Sequence, residues 1–113
     1  MVNPIVYRRL VKTAKARTTV TFAELGDAAD LAIEETDERK ILELILDHIA
    51  DQEEAEGRPL LSVLAVDASG RPGGGLARYV RRKNFPVAND AAFFADEMQH
   101  VYAYWAKATP PTG

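Results

Sequence analysis

A histidine among carboxylates is the pattern a general base or a metal ligand would leave, and His48 lies between Asp47 and Asp51. On a helix the two aspartates, four residues apart, are neighbours, whereas His48 points about 100° away from Asp47. His100 has Tyr104 rather than a ligand four residues later. The spacing fits no metal motif with a mechanism, so no metal is expected and these groups read as solvated helix faces. Gly70 to Gly75 offers phosphate chemistry, since backbone N–H groups opening onto a helix start can cradle phosphates. The glycines stand at Walker spacing, yet Leu76 and Ala77 follow where a lysine and a hydroxyl residue are needed. Ser62, between Leu61 and Val63, lacks the glycines of a nucleophile elbow and reads as a strand hydroxyl bonded to backbone. There is no cysteine, which excludes disulfides, thiolate zinc and thiol nucleophiles. The expectation is a non-enzymatic protein with no catalytic residue and no cofactor.

Charge says more than these isolated groups. The net charge is −3, but residues 1–23 carry five bases and no acid, residues 24–57 thirteen acids against two bases, and residues 58–113 seven bases against four acids. Glu43, Asp47, Asp51 and Glu54 fall on the exposed side of one helix and make the candidate surface for a protein partner, because a dense negative face steers basic partners. The alternative surface is basic and would bind nucleic acid: Arg8, Arg9, Lys12 and Lys15 near the start, Arg71 in the glycine loop, and Arg78, Arg81, Arg82 and Lys83 beyond it. These bases could also meet the chain's own acids, but the acidic surface is expected to be mostly exposed, with the basic clusters elsewhere.

The elements that position these groups follow from periodicity and caps. Asn3 and Pro4 open a helix with an apolar stripe of Val6, Tyr7, Leu10, Val11 and Ala14. Thr18 to Thr21 predicts a brief strand or turn, and Thr21 with Glu24 a capping box for a short second helix. Thr36 or Asp37 caps a long third helix that buries Ile41, Leu42, Leu44, Ile45, Leu46 and Ile49 and stops at Gly57 and Pro59. Leu60 to Val66 shows little alternation and reads as a strand buried on both faces. A fourth helix begins near Leu76, and Asn89 or Asp90 caps a fifth with a stripe of Phe94, Met98, Val101, Tyr102 and Trp105. The predicted core is Leu10, Leu25, Leu42, Ile45, Ile49, Leu61, Val63, Phe94, Val101 and Trp105. The fold class is therefore α+β, mostly helical, with a short sheet and about five helices in a single domain over residues 1–108 and a flexible tail at 109–113. No apolar run suffices for a membrane span and charges interrupt Met1 to Leu10, so a soluble, cytoplasmic protein without membrane contact is expected.

Two resemblances sharpen this. TFAELG at 21–26, GRPLLSVLAV at 57–66 and RPGGGL at 71–76 resemble a set of small uncharacterised bacterial proteins with a T-Y-x-E-L motif, a long helix, a G-x-P-x-L-[ST]-x-L-V-V strand and a P-G-x-G-F turn. More remotely, the chain is similar to the winged-helix domain of alkylguanine-DNA alkyltransferases and alkyltransferase-like proteins. In that domain a P-C-H-R-V-V strand precedes a glycine-containing wing. Here Leu60 stands for the reactive cysteine, Leu61 for the histidine and Ser62 for the arginine, so alkyl transfer has no nucleophile. The resemblance implies a winged-helix-like form with residues 67–75 as turn or wing and Arg71 at its tip. The expected function is protein interaction or regulation, of accessory or immunity type, through the acidic helix; the alternative is a noncanonical winged-helix DNA-binding protein using the basic helices.

Overall fold

Asn3 starts the first helix by accepting the backbone N–H groups of Ile5 (3.0 Å) and Val6 (3.1 Å) on its side-chain oxygen, while Pro4 occupies a first-turn position that needs no donor. The structure, a computed structural model, describes residues 3–72, 74–85 and 89–108. The expected tail at 109–113 and residue 73 of the glycine loop lie outside them. In chain order the elements are α1 (Pro4–Lys15), β1 (Val20–Thr21), α2 (Phe22–Ala28), α3 (Thr36–Ala55), a 3-10 turn (Leu61–Leu64), β2 (Ala65–Val66), α4 (Gly74–Arg82) and α5 (Asp90–Ala108). The α+β, mostly helical class with five helices and a short sheet is what the chain forms.

The capping box is present: Thr21 Oγ1 accepts from Glu24 N at 3.1 Å and Glu24 Oε1 accepts from Thr21 N at 3.2 Å. Asn89 caps the start of α5 by accepting from Ala92 N at 2.9 Å. Helix α3 differs from the expected start, since Glu35 is its N-cap without a side-chain bond, and Glu38 instead reaches back to Ala32 N at 3.1 Å. Four helices end alike, on a residue with positive φ, and only α3 uses glycine there: Arg17, Asp30, Gly57 and Asn84. At Gly57 the return bonds are Gly57 N to Glu54 O and Arg58 N to Glu53 O.

Leu60 to Val66 is buried throughout, as its composition predicts, but it is not one strand. β1 is two residues long, and β2 pairs with it in parallel, Val20 opposite Ala65 and Thr21 opposite Val66. With so short a neighbour, Leu61–Leu64 has no ladder to join and satisfies itself locally: Val63 N donates to Leu60 O at 3.1 Å. Glu97 on α5 accepts from Leu60 N at 2.8 Å and fixes the start of the turn. This buried segment packs between α1, α3 and α5. A wing would be an antiparallel hairpin; after β2 the described residues give one isolated antiparallel bridge, Val66 to Pro72, so the strand pairing lends no support to a winged helix.

Leu10, Leu25, Leu42, Ile49, Leu61, Val63, Phe94 and Val101 are core residues as predicted, while Ile45 and Trp105 are partly buried against it. Two further members of the predicted α3 stripe are corrected: Ile41 is 46 % and Leu44 56 % exposed. Only one side of α3 has neighbours, and the buried stripe runs Leu42, Leu46, Ile49 and Glu53. A second cluster of Ala50, Leu60, Tyr79 and Val80 seats α4. The Cα radius of gyration is 13.4 Å, which matches the ~13 Å of a compact chain of this length.

Candidate functional site

The two proposed surfaces meet each other. Arg78 lies 3.6 Å from Glu43, Arg82 3.5 Å from Asp47 and Lys83 3.2 Å from Asp51, so α4 lays its bases along one flank of α3. Tyr79 inserts between them, fully buried, and donates its hydroxyl to Asp51 Oδ1 at 2.8 Å. Arg82 and Lys83 also sit over its ring, at 5.4 Å and 5.8 Å from the centroid. Burial and the hydrogen bond to Asp51 both push the Tyr79 phenol well above its usual range. For the α4 cluster this overturns the expectation that the bases lie away from the acidic surface: a helix seated by Tyr79 and Val80 must cross α3, and opposite charges on the facing flanks offset the like-charge repulsion within each. Glu54, the fourth proposed partner-binding acid, is exposed with no ion pair among the described residues.

The flanking carboxylates differ in state. Burial raises the Asp47 carboxyl above its ordinary range, against the pull of Arg82. For Asp51 burial also acts upward, but the hydrogen bonds from Tyr79 and Lys83 outweigh it and hold the group low. Between α2, α3, the 3-10 turn and the first turn of α4 is a cavity of about 60 Å³ with apolar walls that include Phe22, Leu42, Leu46 and Leu76. Its polar lining is Arg39, Glu43, Asp47 and Ser62. Ser62 is 5 % exposed, and its hydroxyl has no hydrogen-bond partner among the described residues, against the expectation of a backbone bond. A shallower groove continues outward past Lys40, Leu44, Arg78 and Arg82.

Of the remaining bases, Arg9 pairs with Glu24 at 3.2 Å and Arg81 with Asp90 at 2.8 Å. Arg71 is exposed in a turn closed by Asp67, whose Oδ1 accepts from Ser69 N, Ser69 Oγ and Arg71 N. The hydrogen bond from Ser69, followed by that from the Arg71 backbone, holds the Asp67 carboxyl low. Gly70 takes φ +84° in this turn, so the glycine there serves the chain reversal. Arg8, Lys12 and Lys15 recur at i, i+4 and i+7 on α1, exposed and with no ion pair among the described residues. His48 is exposed, and no group of three or more His, Asp or Glu side chains among the described residues is placed to hold a metal. No helix among them is long and apolar enough to cross a membrane.

Sequence reasoning missed Glu53, which lies fully buried on the inner stripe of α3. Its carboxylate accepts from Arg58 Nε at 2.7 Å, Arg58 Nη2 at 3.1 Å and the Tyr7 hydroxyl at 2.9 Å. Burial, with help from Glu53, pushes the Tyr7 phenol up to about 12. The available signal was Arg58 one residue past the glycine that ends α3, where the chain turns back over its own last turn. Compared with known protein families, curated proteins and solved structures, the chain matches none.

Proposed function

We propose that the chain is a non-enzymatic, cytoplasmic interaction module of regulatory or accessory type that docks a protein partner on the outward side of α3. One observation carries this reading: Ile41 and Leu44 stand exposed one turn apart on a helix whose inner stripe is already packed. His48 continues their line, and Lys40, Asp47 and Asp51 edge it. An apolar centre with a charged rim is the composition of an interface core, and charges at its edge set orientation and rate rather than affinity. Glu43, Asp47 and Asp51 are partly neutralised by α4, so they act as that rim and not as a bare negative field. The test is quantitative copurification from the native host with wild type and the Ile41→Lys, Leu44→Lys double variant, both checked for folding by circular dichroism. The wild type should retain a stoichiometric protein that the variant loses; identical protein sets from both would sink the reading.

The α1 stripe favours a second reading, nucleic-acid binding by a winged-helix-like protein through basic helices. The α4 bases and Arg9 are engaged within the chain, and Arg8, Lys12 and Lys15, with Arg71, are the cations of the proposed set that have no ion pair among the described residues. Three phosphate contacts from the stripe would give a log–log salt slope of about −3. A duplex gel shift at low salt that Arg8→Glu with Lys12→Glu abolishes would move the conclusion here.

A further inference from the structure

We propose that the partner docked on the outward side of α3 is a second copy of this chain, its α3 lying antiparallel across a two-fold axis between Ile41 and Leu44. The inference rests on the docking reading above and names the occupant. Asp37, Ile41, Leu44, His48, Asp51 and Ala55 step along α3 by four and three residues in alternation, the spacing that keeps one face toward a neighbouring helix. All six are exposed, and Ile45, partly buried beside their line, widens the apolar centre. A two-fold axis makes every contact reciprocal, so one choice of register fixes all the pairs.

Placing Ile41 against the partner's Leu44 joins apolar to apolar twice. The same register sets Asp37 against the partner's His48 and Lys40 against the partner's Asp47, each again twice. Asp37, Lys40 and His48 have no ion pair among the described residues, so their charges are not committed within the chain. An imidazole donates an N–H to a carboxylate whether it is neutral or protonated. Asp47 already meets Arg82 at 3.5 Å, so the Lys40 contact adds to a shared charge and the Asp37–His48 pairs carry the selection. Asp51 falls past the start of the partner's α3, opposite the partner's Glu34 and the partner's Glu35, and Lys83 at 3.2 Å offsets its charge. Other arrangements fit worse. A parallel pair sets Asp37 on the partner's Asp37 and His48 on the partner's His48, and the antiparallel register one heptad along sets Ile41 on the partner's Asp51. The chosen register overlaps residues 36–49 of each helix, a length of about 21 Å. So small a contact, with exposed charges that orient more than they bind, gives a Kd on the order of 100 μM.

The experiment is sedimentation equilibrium of the whole chain from about 10 μM to about 1 mM, a range that brackets this Kd. The wild type should pass from monomer to dimer, and Leu44→Lys should stay monomeric throughout. His48→Asp sets acid against acid twice and should weaken association about tenfold. Adding Asp37→His to it should restore the wild-type affinity, because each pair returns with its members exchanged. Circular dichroism establishes that every variant compared is folded. A wild type still monomeric at the highest concentration, association that Leu44→Lys leaves intact, or a double variant no stronger than His48→Asp alone would each overturn the proposal. A monomeric chain from which the Ile41→Lys, Leu44→Lys change removes a different host protein would overturn the second copy and leave the docking reading standing.

Discussion

Glu53 sits where the α3 stripe calls for leucine, between a guanidinium and a phenol. Removing one member of a buried ion pair leaves the other uncompensated, so Glu53→Gln should cost about 3 kcal/mol in urea unfolding, the low end of the range because Arg58 keeps some solvent contact. A loss below about 0.5 kcal/mol would mean that Arg58 simply swings into water. Asp47 and Asp51 should respond oppositely to pH. Asp51 has a lowered folded value, so its stabilisation is present above the ordinary 3.8 and fades as pH falls through the lowered value. Asp47 is raised, so its favourable contribution belongs to the protonated form; it is complete below 3.8 and lost as pH rises through the raised value. Asp51→Asn should therefore lower the urea midpoint at pH 7, whereas Asp47→Asn should leave it equal or higher. None of this site chemistry was legible residue by residue: the sequence names the carboxylates, but the Tyr79 hydroxyl that separates their states comes from a helix whose crossing no local pattern encodes.

Between elements, the α3–α4 ladder turns a surface-charge experiment into a stability experiment. Reversing Asp47, Asp51 and Glu54 to lysine sets new cations against Arg82, Lys83 and the buried Tyr79 hydroxyl, and thermal unfolding should drop markedly. Glu54→Lys alone, and Arg8→Glu with Lys12→Glu, should stay within about 0.5 kcal/mol, since none of these has a described partner. In α2 a Cβ on Gly26 would stand 2.6 Å from Ile33 Cγ2 and 2.9 Å from Leu31 O. Gly26→Ala should thus cost about 1–3 kcal/mol by overpacking, measured by chemical denaturation. The sequence made the caps at Asn3, Thr21 and Asn89 readable, because a cap is a contact within four residues. It could not separate the faces of α3, whose apolar positions exceed what one neighbour-lined side can hold. Nor could it tell buried strand from buried 3-10 turn in Leu60–Val66, because both hide every side chain and differ only in whether a partner strand is long enough.

At the scale of the whole molecule, the charge segregation visible along the chain is resolved within it only in part: α4 bases meet Glu43, Asp47 and Asp51 of α3, while the α1 stripe has no ion pair among the described residues. The same architecture joins the two strands of the described residues across all of α2 and α3, Val20 with Ala65 and Thr21 with Val66. That pairing sets an order of events. Helices α1, α2 and α3 are local and can form early, but β1 cannot meet β2 until the intervening chain closes as a loop, and the closure entropy must be met before two short ladder contacts repay any of it. The strand pair should therefore assemble after the rate-limiting barrier. Val20→Ala should speed unfolding while leaving the refolding limb of the chevron nearly unmoved, and a matching slowdown of refolding would place the pair inside the nucleus instead. On that outcome kinetic lifetime would depend in part on the smallest element, the sheet closing as a late latch on a helical body already assembled.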